Sequence, residues 1–312
     1  MNPALTGYQV DYLRLRRMLG ATLGAHDRLI GNFLGWLAGT GQDTITTGAA
    51  VRWACLPTTA APRWRANRLA VIRAFAAYVH AHDPDSAELI PANLIPSTVT
   101  HAVPYIYTRR QTCDLMDAAF RLDPPVRGLT LATVIGLLAA TGLRIGEALA
   151  LNLADVDLGG QVITVTGKYA KQRLVPIDPS AVAALRDYLR RSRDLVAAQD
   201  LDTFFVTSAG TRPHPGNLQT AFRAVTKQLD LPLRPGARGQ RLHDFRHSFA
   251  TTSLVDAYRD GVDVDAHIVV LATYLGHVSP ASTYWYLTAT PELLALAAQR
   301  VEAALADGGL LR

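Results

Sequence analysis

The chain has 312 residues, 49% of them hydrophobic and 18% charged. That is enough apolar side chain to bury two cores, and it excludes a disordered polyelectrolyte. A formal net charge of +5 permits a polyanionic partner without requiring one.

The first residues carry no long apolar signal core, and the most apolar run, Gly128 to Leu143, stops at Arg144 and is too short to span a bilayer. Cys55 and Cys113 lie far apart without metal-ligand spacing, so a reduced, cytoplasmic protein with no membrane contact and no metal is expected. Only Lys168, Lys171 and Lys227 are lysines among 31 basic residues. Two of the three fall in one short segment, where they stand out against an arginine-rich background.

Residues 1–97 read as a helical domain. Tyr8, Leu13, Leu19, Leu29, Phe33 and Trp36 recur at roughly helical spacing, with Gly39-Thr40-Gly41 closing the stretch. A second helix is expected near 49–55. A third, over 61–81, carries Trp64, Leu69, Ile72, Phe75 and Tyr78 inward and Arg63, Arg65, Arg68 and Arg73 largely on other faces. Nine arginines against six acids give this region 9 − 6 = +3. An arginine-lined face, with Arg65 and Arg68 as its candidates, suits a phosphate backbone; the plainer alternative is a set of solvated helix faces.

Residues 98–108 read as an exposed linker, since Pro91, Pro96 and Pro104 resist helix formation around it. A second domain, 109–312, opens with helices near 109–120 and 128–150. Gln161 to Thr166 alternates as a strand, Gly167-Lys168-Tyr169-Ala170-Lys171 turns, and Gln172 to Ile177 returns. Helices follow near 179–198, 216–229, 243–257, 264–276, 280–288 and 291–307, the last with an apolar stripe of Leu293, Leu294, Ala297, Val301 and Leu305. The fold class is mainly α with a small β-hairpin or sheet, an α+β domain behind a helical one.

Chemistry concentrates in four ordered segments: Thr141-Gly142-Leu143-Arg144-Ile145-Gly146-Glu147, the hairpin turn at Lys168, His243-Asp244-Phe245-Arg246, and His277 with Tyr286 nine residues on. Two arginines can grip one phosphate through planar forks that never lose their charge. Histidines can move protons, and a tyrosine set among cations can attack despite an ordinary pKa near 10. Lys168 can donate a proton to a leaving alkoxide, with Lys171 as the alternate. Alone, Arg144 would be a partner for Glu147, His243 or His277 a capping histidine, and Tyr284-Trp285-Tyr286 core packing. The ordered combination describes phosphoryl transfer without metal or nucleotide.

These segments resemble the boxes of the tyrosine recombinase, or phage integrase, family. Thr-Gly-Leu-Arg-Ile-Gly-Glu is similar to its first-arginine box. Gly167-Lys168 with Lys171-Gln172-Arg173-Leu174-Val175-Pro176 resembles its hairpin lysine box. Leu242 to Ala250 is similar to its His-x-x-Arg box, and Leu275-Gly276-His277 through Tyr286 matches its spacing from second histidine to nucleophile. Residues 1–97 resemble its helical core-binding domain in size and position.

The resemblance implies that Tyr286 attacks the scissile phosphate to give a 3′-phosphotyrosyl link and a free 5′-hydroxyl. Arg144 and Arg246 bind the non-bridging oxygens, Lys168 protonates the leaving oxygen, His243 assists the tyrosine proton and His277 hydrogen-bonds the phosphate. Glu147 orients Arg144, while Lys171 and Arg173 contact the DNA backbone. It implies no cofactor, a double-stranded recombination site as substrate, and nucleoid association in a bacterial cytoplasm. It also implies a synaptic tetramer built through helix 291–307, with a partner recombinase in some systems. Tyr169 stands where many relatives have glycine, and the segment after Tyr286 is similar to recombinases of mobile elements. The alternatives are an accessory DNA-binding paralogue that does not cut, and a type IB topoisomerase-like nicking and closing enzyme.

Overall fold

The computed structural model describes residues 3–20, 23–56, 58–96, 104–167, 171–196, 202–232, 239–276 and 291–306. The chain divides into two compact units, Met1–His101 and Ala102–Arg312. No helix among the described residues is long and apolar enough to cross a membrane.

The first unit holds α1 (Pro3–Met18), α2 (Gly24–Gly39), α3 (Thr47–Cys55) and α4 (Pro62–His82). Their apolar stripes meet in one core of Tyr12, Ile30, Phe33, Leu37, Trp53, Ile72, Phe75 and Val79. The Thr46 hydroxyl starts α3 by accepting the Ala49 N–H, which satisfies one of the orphan donors at a helix start. The pattern through Leu19 suggests a single helix, but α1 ends before it and Leu19 is 67% exposed. Trp64 also departs from its expected inward place: it is 44% exposed. Its ring instead lies 4.6 Å from the Arg68 guanidinium, which is also 3.7 Å from the Trp53 ring.

The second unit is built around α6 (Pro125–Thr141), which is apolar on nearly every face and buried accordingly. Around it pack α5 (Arg109–Phe120), α7 (Ile145–Ala150), α8 (Pro179–Leu195), α9 (Pro215–Gln228) and α10 (Asp244–Arg259). The helix expected over 128–150 is two helices. Gly142 ends α6 with φ 62°, and a Cβ there would lie 2.6 Å from the Phe249 ring, so only glycine makes this turn without displacing a neighbour.

A three-stranded antiparallel sheet, β1 (Val156–Asp157), β2 (Val162–Thr166) and β3 (Gln172–Pro176), lies at the edge of this core. Its register pairs Ile163 with Val175 and Val165 with Arg173. Ile163, Val165, Val175 and Ile177 point inward and are buried. Gln161 sits at φ 56° and belongs to the preceding turn, and β1 is too short for alternation to reveal it.

Finally α11 (Val264–Leu275) and α12 (Pro291–Ala306) form a satellite core against α10, with Ile268, Leu271 and Leu293 buried among Ala250 and Leu254. Of the stripe expected on α12, Leu293 packs on this unit, while Leu294, Val301 and Leu305 face outward.

The linker expected over 98–108 is mostly covered where it is described, with only Thr108 exposed among 104–108. Pro104, Tyr105 and Tyr107 are buried. The Tyr107 ring stacks on Phe245 at 4.2 Å, and its N–H donates to Ser248 Oγ at 2.8 Å. This segment therefore belongs to the core beneath α10. Tyr107→Ala should lower stability by about 3–5 kcal/mol, as for other buried aromatic truncations. A urea titration following the second unit checks this; a loss near 0.5 kcal/mol, ordinary for a surface position, would return the segment to the linker.

Candidate active site

The left-handed turn at Gly142 delivers Arg144 to the position just before α7. There its backbone N–H donates to Glu147 Oε2 at 3.0 Å and its Nη1 to Glu147 Oε1 at 2.7 Å. The local fold therefore aims the arginine: Glu147 stands one helical turn on, where it both caps α7 and pairs with the guanidinium. Arg144 keeps 40% of its side chain exposed, and its Nη2 reaches the Gly276 carbonyl at 3.4 Å.

Arg246, in the first turn of α10, is only 1% exposed. Its Nη1 donates to the Gly142 carbonyl at 2.9 Å and its Nη2 to the Leu275 carbonyl at 2.6 Å. Those carbonyls close α6 and α11. Helix C-termini carry partial negative charge and unsatisfied acceptors, so they can hold a cation that water no longer reaches.

The segment leading into α10 is fixed by buried Asp244, which accepts the Arg241 N–H at 2.9 Å and Arg241 Nη2 at 2.7 Å. Burial raises the Asp244 pKa against those bonds. His243 lies between these arginines. Burial, then the charges of Arg246, Arg241 and Arg144, push its pKa down to about 4. It is thus held in the uncharged form at pH 7.

A fifth group completes the frame. Arg173 of β3 gives Nη1 and Nη2 to the two oxygens of Glu147 at 3.2 and 2.8 Å, and Nε to the Tyr274 carbonyl at 3.0 Å. Burial opposes ionisation of Glu147, but hydrogen bonds from Arg173 and Arg144 outweigh it and bring its pKa to about 2.

The structure thus brings together Arg144, Glu147, His243 and Arg246, and adds Arg173. Lys168, His277, Tyr284 and Tyr286 lie outside the described residues. Their neighbours are placed: Gly276, just before His277, touches both Arg144 and Arg173, and the Gly167 N–H closes the hairpin on the Lys171 carbonyl at 2.7 Å. Lys171 is exposed. In the first unit Arg65 donates to the Thr58 carbonyl. Arg68 donates to the Trp53 carbonyl at 3.1 Å, so both are engaged locally. The sequence reading missed the carbonyls of Gly142 and Leu275 as arginine anchors, because backbone acceptors leave no trace in residue identity.

The two shifted groups act in different pH windows. His243 charges near pH 6.5 unfolded but about 4 folded, so its contribution falls as pH drops from 6.5 to 4. Glu147 ionises near 4.5 unfolded but about 2 folded, so its contribution is present above 4.5 and lost towards pH 2. His243→Gln should therefore flatten the stability profile between pH 6.5 and 4.5 by up to about 1.4 kcal/mol per pH unit. Glu147→Gln should alter it only below 4.5. Urea midpoints across pH check both, and an unchanged slope in His243→Gln would contradict the neutral assignment.

Comparison with known proteins agrees with this geometry. Residues 108–292 match the model of the phage integrase family. The chain is 40% identical over 299 residues to the integrase/recombinase y4rB of Sinorhizobium fredii, covering 94% of this chain and 95% of that one. It is 32% identical over 264 residues to tyrosine recombinase XerC of Myxococcus xanthus, covering 80% and 79%. Among solved structures, the Tn1549 transposon integrase in complex with transposon right end DNA shares the fold, with a TM-score of 0.64 at 16% identity, over 96% of this chain and 98% of that one. The match spans every segment that builds the arginine frame, and the chain belongs to the phage integrase family: it is a tyrosine-type site-specific DNA recombinase.

Proposed function

We propose that Tyr286 is the nucleophile and that Arg144, Lys168, His243, Arg246 and His277 are the groups that act with it on the scissile phosphate. The Tyr286 oxygen attacks phosphorus, the bond to the 5′-oxygen breaks, and the DNA 3′-phosphate becomes esterified to tyrosine. His243, neutral before DNA arrives, receives the tyrosine proton. Lys168 gives its proton to the leaving 5′-oxygen. Arg144 and Arg246 offset the charge that grows on the non-bridging oxygens, assisted by His277. Attack by another strand's 5′-hydroxyl reverses the step. Phosphodiester energy stays in the tyrosyl link, so no nucleotide is consumed.

The observation that carries this reading is the arginine frame itself. Two guanidiniums are fixed beforehand by Glu147 and by the C-termini of α6 and α11, with an uncharged histidine between them. Such preorganised charge is what a dianionic transition state needs.

Residues 1–97 act as the DNA-clamping, core-binding domain, and 109–312 as the catalytic one. Lys171, exposed on the hairpin, contacts the DNA backbone. In the first domain the positive face around Arg65 and Arg68 lies towards phosphate. The protein works in a synaptic tetramer, with the outward Leu294, Val301 and Leu305 of α12 docked on a neighbouring protomer. Its task is integration, excision or transposition of a mobile element; the integrase names of its relatives support that direction.

Incubated with a nicked duplex carrying its native site, the wild type should accumulate a detergent-stable DNA adduct. Tyr286→Phe should abolish the adduct with DNA affinity held within about 3-fold, and Tyr284→Phe should retain it. Arg144→Ala should slow adduct formation by at least about 10²-fold. Adduct lost in Tyr284→Phe and kept in Tyr286→Phe would reassign the nucleophile.

A further inference from the structure

We infer that Arg173 is a positioning residue for strand exchange: it locks the β2–β3 hairpin, the Glu147 carboxylate and the end of α11 into one arrangement, and acts on the phosphate through Arg144 rather than by touching DNA. This replaces the backbone contact expected from its place in the hairpin, and it rests on the assignment of Arg144 to the reaction.

The strand pattern is the first reason. Residues 173, 175 and 177 share the inward face of the sheet, with Val175 and Ile177 buried, while Leu174 between them is 66% exposed. Arg173 instead turns in, and its side chain is 17% exposed.

The second reason is where its donors go. All three guanidinium nitrogens already donate to protein oxygens: two to Glu147 and one to the Tyr274 carbonyl. The planar fork is matched to the carboxylate, and Nε reaches a different element at the same time. A lysine has neither the planarity nor the reach for this.

The third reason is the close approach to Gly276. That residue sits at φ 67°, and a Cβ on it would lie 3.0 Å from Arg173 Nη1 and 3.2 Å from Cζ. The guanidinium therefore lies flat against the backbone one residue before His277. Meanwhile the same β3 strand pairs with β2 up to Thr166 and Gln172, next to the sequence segment that carries Lys168. One side chain thus sets the relative placement of β3, the Glu147 carboxylate that partners Arg144, and the end of α11.

Glu147 explains how this reaches the chemistry. Its two oxygens serve two arginines, and sharing the carboxylate leaves a net positive charge on the trio. Without Arg173, Glu147 pairs with Arg144 alone and draws that charge away from the phosphate.

The test uses the full-length protein and the nicked duplex. Arg173→Gln should slow adduct formation at saturating DNA by about 10²-fold, the scale of a small misplacement at a reacting centre, with DNA affinity and its salt dependence unchanged within about 3-fold. Arg173→Lys restores the charge but not the fork, and should stay at least about 10-fold slow. Because Arg173→Gln can fail to fold, Arg173→Lys and Glu147→Gln, scored for a native urea midpoint, decide the matter in that event. The Arg173→Gln, Glu147→Gln double variant should be little slower than its slower parent, since both act through Arg144.

The inference is overturned if Arg173→Gln or Arg173→Lys cleaves at the wild-type rate once DNA saturates. It is equally overturned if the salt slope of binding falls by about one phosphate contact with that rate intact. An adduct that survives Tyr286→Phe would instead refute the nucleophile, leaving the Arg173 rates still readable on the adduct that forms.

Discussion

Two guanidiniums, those of Arg144 and Arg246, are held close to the same pair of helix ends, and the second unit is arranged to meet the charge this concentrates. Like charges repel, and a buried cation costs several kcal/mol unless hydrogen bonds replace its water. Arg246, almost wholly buried, is met by the carbonyls that close α6 and α11. Arg144, more exposed, is met by Glu147. Each device uses a helix end: two C-termini present acceptors to Arg246, and the first turn of α7 presents its acid to Arg144. The long buried α6 is what lets these ends converge, since it packs against most of the helices that bear the site.

That arrangement accounts for the state of His243. Surrounded by Arg246, Arg241 and Arg144 in a half-buried position, it cannot hold a proton at neutral pH. The same positive field therefore keeps the imidazole uncharged until an anion offsets it. Glu147 is the counterweight, kept ionised by the two arginines it serves. Asp244 and Tyr107 support the frame from below: one fixes the turn into α10, and the other packs its ring against Phe245. Residues 104–107, which read as linker, are thus part of the platform on which the His-x-x-Arg segment stands.

Much of this was legible in the sequence because it depends on residue type and spacing. Helix periodicity located most of the described helices, strand alternation found β2 and β3, and the ordered motifs named Arg144, Glu147, His243 and Arg246. What was not legible depends on partners distant in the chain. Leu19 and Trp64 fit a helical period but face solvent, because the period does not say where a helix stops or which tryptophan covers an arginine. Tyr105 and Tyr107 follow a proline-rich stretch, and only their packing on each other and on Phe245 of α10 explains their burial. Arg173 shows the limit from the other side. The alternation that placed Val175 and Ile177 inward already placed Arg173 with them, but a positive residue beside the lysine turn invited a phosphate instead.

The account stands on the identity of the nucleophile in this frame, and the most direct measurement is the mass of the DNA-linked peptide. The adduct formed on a nicked native site would be digested with nuclease and trypsin, and the nucleotide-bearing peptide sequenced by mass spectrometry. The account predicts a 3′-phosphonucleotide on Tyr286 and none on Tyr284. A nucleotide on Tyr284, or no covalent peptide from protein that demonstrably binds the site, would contradict it.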